Sequence, residues 1–301
     1  MLAAGLGFLY FGGEALVAGA VSIANRLRLP AFLIGLTVVG FGTSMPELVV
    51  SFDAAMIGAF EISLGNIIGS NTANILLILG LAAVISPISL AGERLFRDLA
   101  VMLAAALALA ALAFAGEIGR WAGAGLLGML LFYLVWVAVA DRNRGAGDDE
   151  PRAIMPLWKE VGAIVVGLIL LISGGDMLVS AATGIARNLG IPEAVIGLTI
   201  VAVGTSLPEL ATSVVAAIRK QSAIAVGNIV GSNIFNIAGI LGVTAIFVPL
   251  PISAGFATLD IPVMIGVSAA MSVLVFLSKG ISRLAGLFFL AAYAAYVSLM
   301  V

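Results

Sequence analysis

The feature that most limits how this chain can fold is a succession of apolar runs of about twenty residues, separated by short polar gaps. Each run is long enough to cross the roughly 30 Å hydrocarbon core of a bilayer as a helix. Only 10% of the 301 residues are charged and 62% are hydrophobic, so too little charge remains to cover a water-soluble domain. We therefore predict an all-α integral membrane protein.

The runs predict ten membrane-spanning helices, at residues 2–25, 31–57, 62–85, 99–115, 121–140, 158–186, 193–218, 222–248, 258–277 and 284–300. The first carries Glu14 and lacks a basic stretch before it, so we interpret it as a span and not as a signal peptide. These spans place twelve of the fourteen basic residues on one side and only Arg120 and Arg187 on the other. Since basic residues are retained in the cytoplasm, a multi-pass protein of the cell inner (plasma) membrane is expected, with both termini outside.

An internal repeat relates the two halves of the chain. A shift of 162 residues aligns Ile34–Gly80 with Ile196–Gly242 without a gap, and 26 of 47 positions are identical. Five predicted spans precede the second copy, so the copies cross the membrane in opposite directions, as in many secondary transporters. We predict two inverted five-helix repeats, 1–140 and 158–301, around the motif segments 34–80 and 196–242. A cytoplasmic linker, 141–157, joins them.

The first repeated motif predicts a broken helix that carries a buried acid. GTSMPEL at 42–48 and GTSLPEL at 204–210 each lie in the middle of an apolar run, where proline breaks a helix and frees backbone carbonyls. Glu47 and Glu209 follow the prolines, and a charge at the bilayer centre costs about 2.5–3.5 kcal/mol or more. No Lys or Arg lies near them within a predicted span, so a bound cation or a proton is the expected partner. The alternative is a neutral glutamic acid hydrogen-bonded to a neighbouring helix.

The second repeated motif adds neutral oxygen ligands. Residues 65–71 read GNIIGSN and are followed by Asn74; residues 227–233 read GNIVGSN and are followed by Asn236. Asn66, Ser70 and Asn74 recur every four residues and share one helical face, and their counterparts do the same. The glycines at small-xxx-small spacing also predict close helix packing. Four polar stripes, two from each motif, can therefore converge on one point.

The missing residue types narrow the chemistry. The chain has neither cysteine nor histidine, which excludes thiolate metal sites and the usual near-neutral proton switch. Carboxylates, amides, hydroxyls and carbonyls remain, and these are the ligands of hard cations. All three lysines lie at span ends, so no intramembrane protease dyad is available and no enzyme activity is expected. No resident cofactor and no nucleic-acid partner are expected, and the oligomeric state stays open, with a monomer as one option.

Three other acids within predicted spans have less defined roles. Glu14 and Asp176 are equivalent in the repeat; they either line an approach to the site or, as we favour, hydrogen-bond locally. Asp53 has Val215 at the matching position and lies about 240° from Glu47 around a helix, so it should not share the Glu47 face. An auxiliary proton or cation site at Asp53 is the less favoured alternative.

Together the two motifs resemble the alpha repeats of the calcium/cation antiporter superfamily, in particular its prokaryotic sodium/calcium exchangers. The resemblance implies cation sites at the membrane centre, with Glu47 and Glu209 as shared ligands, and alternating access by sliding of the first and sixth helices. It also implies oxygen ligands from Thr43, Ser44, Ser70, Asn74, Thr205, Ser206, Ser232 and Asn236, and from the backbone carbonyls of Gly40 and Ala202.

One position departs from the family pattern. Some sodium/calcium exchangers carry an aspartate where this chain has Asn236, so the pocket here has two formal negative charges, which balance one Ca²⁺. The expected function is exchange of Ca²⁺ for Na⁺ across the lipid bilayer. A Ca²⁺/H⁺ exchanger that uses the same glutamates is the alternative, and a passive cation channel is a remote one.

Overall fold

The computed structural model describes residues 1–27, 29–89, 93–142, 155–189 and 202–300, and these are almost entirely helical. The helices of these ranges are α1 (Leu2–Leu27), α2 (Ala31–Thr43), α3 (Met45–Met56), α4 (Phe60–Ile85), α5 (Glu93–Ala115), α6 (Arg120–Arg142), α7 (Leu157–Asn188), α8 (Ala202–Thr205), α9 (Leu207–Ile218), α10 (Ser222–Phe247), α11 (Phe256–Ser278) and α12 (Arg283–Met300). The prediction of an all-α membrane protein is confirmed.

Seven of the described helices are long and apolar enough to cross a membrane, namely α1, α4, α7, α10, α11 and the greater parts of α5 and α6. The bent pair α2–α3 would be an eighth span, while α9 and α12 are apolar but shorter. The beginning of the predicted span 193–218 and most of the linker 141–157 lie outside the described residues. The protein is therefore a multi-pass membrane protein.

Both broken helices predicted from the proline motifs are present. Ser44 separates α2 from α3 with φ −83° and ψ 7°, and Ser206 separates α8 from α9 with φ −88° and ψ 7°. The α2–α3 pair bends by 43°. Pro46 and Pro208 lie in the first turn of the following helix, where a missing N–H leaves no helical hydrogen bond unmade. The prolines thus begin new helices instead of distorting continuous ones.

Two short antiparallel bridges tie the halves together. β1 (Ile88–Ser89) pairs with β4 (Gly280–Ile281), and β2 (Glu117–Ile118) pairs with β3 (Leu250–Pro251). β1 corresponds to β3 at the 162-residue offset and β2 to β4 at 163, so each bridge joins one half to the other. The core is shared in the same way, because buried residues of α4 and of α10 belong to one apolar cluster.

The helices α1 and α7 pack as one unit, which we call the long-helix pair. A Cβ atom at Gly12 would lie 2.9 Å from the Gly167 carbonyl oxygen, so the two backbones touch through glycine. At one end of the pair, the buried Glu160 carboxylate accepts hydrogen bonds of 2.6 Å from both Ser22 and Arg26. Backbone contact and a buried ion pair therefore hold α1 and α7 together.

Glycines also bring α10 against α2. A Cβ at Gly231 would lie 2.7 Å from the Leu36 Cα and would also meet the Leu36 carbonyl oxygen, and one at Gly227 would lie 3.0 Å from the Leu36 nitrogen. The small-xxx-small prediction is met here by direct backbone contact. This contact sets the distance between the helix that leads to Ser44 and the helix that carries Ser232.

Candidate cation-binding site

The two glutamates of the proline motifs are buried at corresponding places. Glu47 lies in the first turn of α3 and is 0% exposed, and Glu209 lies in the first turn of α9 and is 1% exposed. The first turn of a helix presents unpaired N–H groups and partial positive charge, which favours an acidic side chain there. The helix breaks thus hold both carboxylates inside the protein.

Hydrogen bonds that cross between the halves bring these glutamates together. The Ser206 hydroxyl donates to the Glu47 Oε1 atom at 3.1 Å, and the Ser44 hydroxyl donates to the Glu209 Oε1 atom at 3.0 Å. Each serine is the residue at which its own helix breaks, so the break of one half positions the carboxylate of the other. Glu47 and Glu209, one from each repeat, therefore lie in a single buried cluster.

A pair of asparagines fixes the surrounding backbone. Asn66 donates from its amide nitrogen to the Ser51 hydroxyl at 2.9 Å and to the Glu47 carbonyl at 3.3 Å. Its amide oxygen accepts from the Thr205 hydroxyl at 3.1 Å. In the other half the same arrangement is formed by Asn228, Ser213, Glu209 and Thr43. Because their amides are already paired, these asparagines position the glutamate turns.

Four further asparagines meet across the halves. The Asn74 amide nitrogen donates to the Asn233 amide oxygen at 2.9 Å, and the Asn236 amide nitrogen donates to the Asn71 amide oxygen at 3.2 Å. Asn74 and Asn236 lie in π-helical turns, at 74–79 and 235–241, and such turns are frequent at functional sites. Sequence reasoning did not assign Asn71 and Asn233 a role, although both belong to the GSN triplets of the repeated motif.

Four buried oxygen atoms at this site have no hydrogen-bond donor within the described part of the chain. They are Oε2 of Glu47, Oε2 of Glu209, Oδ1 of Asn74 and Oδ1 of Asn236. An unsatisfied buried acceptor costs about 1–3 kcal/mol, and more when it is charged. Each half contributes one carboxylate oxygen and one amide oxygen, and these are oxygen ligands of the type that Ca²⁺ binds. These four oxygens could therefore accept a cation or, at the carboxylates, a proton.

The other predicted ligands differ in the contacts that they make. The Ser232 hydroxyl donates to the Gly40 carbonyl at 3.3 Å and so links α10 to the end of α2. The Ser70 hydroxyl donates within its own helix to the Asn66 carbonyl at 2.6 Å, which leaves only its lone pairs for a cation. Ala202 begins α8, the short helix that ends at the Ser206 break.

The three acids with undefined roles form none of the hydrogen bonds described for this cluster. Asp53 and Asp176 are exposed, whereas Glu47 is buried, in keeping with the separate faces expected for α3. The expectation of a local hydrogen bond is wrong for Glu14, which forms an ion pair with Arg219 at the end of α9. The helical spacing of α1 could not reveal a partner that lies 205 residues away in sequence.

Sequence reasoning missed a second pair of buried acids. The Asp98 carboxylate, 0% exposed, accepts hydrogen bonds from Tyr133 at 2.8 Å and from Arg97 at 2.7 Å. Asp260, which corresponds to Asp98 at the repeat offset, accepts from Tyr296 at 3.0 Å. These acid–tyrosine pairs tie α5 to α6 and α11 to α12. The two acids recur at an offset of 162 residues and the two tyrosines at 163, which was the signal available in the sequence. They are structural anchors outside the glutamate site.

Comparison with known proteins agrees with this architecture. The family model described as sodium/calcium exchanger protein matches residues 1–139 and 159–301. A sodium/calcium exchanger named MaX1, from Methanosarcina acetivorans, is 34% identical over 339 residues, which cover 99% of this chain and 96% of that protein. The inner membrane protein YrbG of Escherichia coli is 34% identical over 283 residues, with 91% and 87% coverage.

Solved structures show the same fold. A structure of the sodium-calcium exchanger NCX_Mj, soaked with 2.5 mM Na⁺ and 0.1 mM Ca²⁺, superposes with a TM-score of 0.86 at 34% identity. The superposition covers 99% of this chain and 96% of that one. Family match, whole-length relatives and shared fold all point to a membrane antiporter of cations. The chain belongs to the sodium/calcium exchanger protein family.

Proposed function

We propose that this protein exchanges Ca²⁺ for Na⁺ by alternating access to a site built around Glu47 and Glu209. The observation that carries the proposal is the set of four unsatisfied buried oxygens, two from carboxylates and two from the amides of Asn74 and Asn236. The likeness to proteins named as sodium/calcium exchangers supports both ions. Ca²⁺ suits this ligand set better than Mg²⁺, which demands tight octahedral geometry and keeps several waters.

We also propose that the chain has ten spans arranged as two inverted five-helix repeats, 1–140 and 158–301. The glutamate and asparagine contacts support this because they recur at the 162-residue offset and cross between the halves. The two bridges also cross between the halves and recur to within one residue of that offset. Such repeats place the substrate site between them, near the membrane midplane. The distribution of basic residues supports outside termini and a cytoplasmic linker.

The identity of the coupling ion distinguishes Ca²⁺/Na⁺ exchange from the alternative, Ca²⁺/H⁺ exchange. We expect proteoliposomes containing the purified protein to take up ⁴⁵Ca²⁺ when an outward Na⁺ gradient is imposed, and not when an outward H⁺ gradient replaces it. Uptake driven only by H⁺ would reject Na⁺ coupling and leave the Ca²⁺/H⁺ alternative. Ca²⁺ flux that runs down its own gradient and moves neither counter-ion would mean a channel.

The charge of the site predicts electroneutral exchange. Within the described residues, no three acidic, histidine or cysteine side chains lie close enough together to hold a metal ion. The negative charge of the site therefore comes from the two carboxylates of Glu47 and Glu209. Because uncompensated charge is costly in a buried site, one Ca²⁺ or two monovalent cations should be bound in turn. We therefore expect Na⁺-driven uptake to be unaffected by a valinomycin K⁺ diffusion potential.

A matched variant tests the same charge balance. Asn236→Asp adds a third carboxylate, and uptake by this variant is expected to respond to the imposed potential. If uptake by the unaltered protein instead speeds up several-fold when the vesicle interior is positive, more than two monovalent cations leave for each Ca²⁺. That result would contradict the two-charge site.

A further inference from the structure

The hydrogen bonds of Glu47 and Glu209 recur in both halves, but the long-helix pair lies differently on the two broken helices. A Cβ at Gly13 of α1 would lie 3.0 Å from the Val215 side chain and 3.3 Å from the Ala211 carbonyl, so α1 covers this face of α9. Val215 is accordingly only 3% exposed. The C-terminal part of α9 is therefore closed off by α1.

The equivalent face of α3 is uncovered. At the repeat offset, Ala211 corresponds to Val49, which is 54% exposed, and Val215 corresponds to Asp53, which is also exposed. Gly175 of α7 corresponds to Gly13, but a Cβ there would have as nearest neighbours the Gly204 carbonyl at 3.7 Å and Leu207 at 3.8 Å, both in its own half. Thus α7 does not cover α3 in the way that α1 covers α9. The structure is closed along one broken helix and open along the other.

An ion pair accompanies the closed side. The Arg219 guanidinium, just beyond α9, donates to both carboxylate oxygens of Glu14 on α1, with an Nε–Oε1 distance of 3.0 Å. The Glu14 side chain is 19% exposed and the Arg219 side chain 60% exposed. At the repeat offset the partners become Asp176 and Ile57, and an isoleucine cannot pair with a carboxylate. The ion pair therefore has no counterpart in the other half.

We propose that the Glu14–Arg219 ion pair is a state-specific latch that makes the conformation with α9 covered the preferred resting state. The inference rests on the alternating-access part of the proposed function. In an inverted repeat, exchanging the conformations of the two halves produces the opposite access state. In that mirror state α7 covers α3 as α1 now covers α9, and α1 leaves α9. Glu14 and Arg219 are then separated.

The mirror state also carries a penalty of its own. Asp53 takes the place that Val215 has now, so its carboxylate is covered by the turn of α7 at Gly175. The next residue is Asp176, a second acid, and no basic residue stands where Arg219 would correspond. Burying an acid beside a like charge is unfavourable. The ion pair stabilises the state with α9 covered, and the buried acids destabilise the mirror state. Both effects therefore shift the equilibrium toward the state with α9 covered, since the populations depend on the free-energy difference between the two states.

The natural absence of cysteine allows a direct test by labelling. Val49→Cys and Ala211→Cys place single thiols at equivalent positions on the uncovered and covered faces, and maleimide reacts with each in purified protein under one buffer. We expect the thiol of Val49→Cys to react faster. Adding Glu14→Gln or Arg219→Gln should shift the ratio of the two rates about two- to fivefold toward the Ala211 position, the range for a partly exposed ion pair.

Controls separate the latch from general damage. Lys220→Gln, which removes the neighbouring positive charge, should leave the ratio unchanged, and Glu14→Arg combined with Arg219→Glu should restore it. Asp53→Val, which copies Val215, should speed labelling of Ala211→Cys. The latch is wrong if both neutral variants label like the parent protein. Coupled ⁴⁵Ca²⁺ uptake by the cysteine-free parent, measured alongside, tests the proposed function separately.

Discussion

Glu47→Gln and Glu209→Gln are each expected to abolish coupled Ca²⁺ uptake, with a loss of more than about 100-fold. Each substitution keeps the size of the side chain and removes one of the two negative charges that would balance a bound Ca²⁺. Losing one partner of a buried charge pair costs about 3–5 kcal/mol, which exceeds a factor of 100 in affinity. The measurement is Na⁺-driven ⁴⁵Ca²⁺ uptake into proteoliposomes, with protein content matched between variants.

The control for this experiment is Glu61→Gln, which removes an exposed acid in the first turn of α4. It should transport like the parent protein. Because each glutamate receives one serine hydroxyl from the other half, the two site variants should fail to the same degree. Activity that survives either substitution would place the cation site elsewhere.

Gly231→Ala is expected to have the second-largest effect. The added Cβ would lie 2.7 Å from the Leu36 Cα and 2.8 Å from its carbonyl carbon, and backbone atoms cannot move aside as a side chain can. The helices α2 and α10 would have to separate by about 1 Å, and a displacement of this size misplaces site residues. The Ser232–Gly40 contact lies directly beside it. We expect unfolding to become easier by about 1–3 kcal/mol and uptake to fall roughly tenfold or more.

Thermal unfolding in detergent and ⁴⁵Ca²⁺ uptake measure the two effects of Gly231→Ala. The matched control is Gly266→Ala in α11, because Gly266 is exposed and a Cβ there meets no described atom within 4 Å. Alanine is the better helix former, so this control should be unchanged or slightly more stable. Equal stability and activity of the two variants would show that α2 and α10 are not in the close contact described.

Much of the candidate site could be predicted because its motifs occur twice in the sequence, once in each repeat. Glu47 and Glu209 stand out as acids in apolar runs, each beside a proline, at one fixed offset. The helix breaks at Ser44 and Ser206 follow from proline chemistry, which acts on neighbouring residues. The roles of Asn71 and Asn233 could not be predicted in this way, since each contacts an asparagine of the other half.

The sequence by itself determined the membrane setting, the helical content, the positions of the breaks and the pairing of the glutamates as equivalents. These properties depend on composition, periodicity and local backbone chemistry, which a single chain displays in order. Only the tertiary structure decided that Ser206 binds Glu47, that Glu14 pairs with Arg219, and that α9 is covered while α3 is open. Those contacts join residues more than 150 positions apart, and their geometry arises from helix packing that no local pattern encodes.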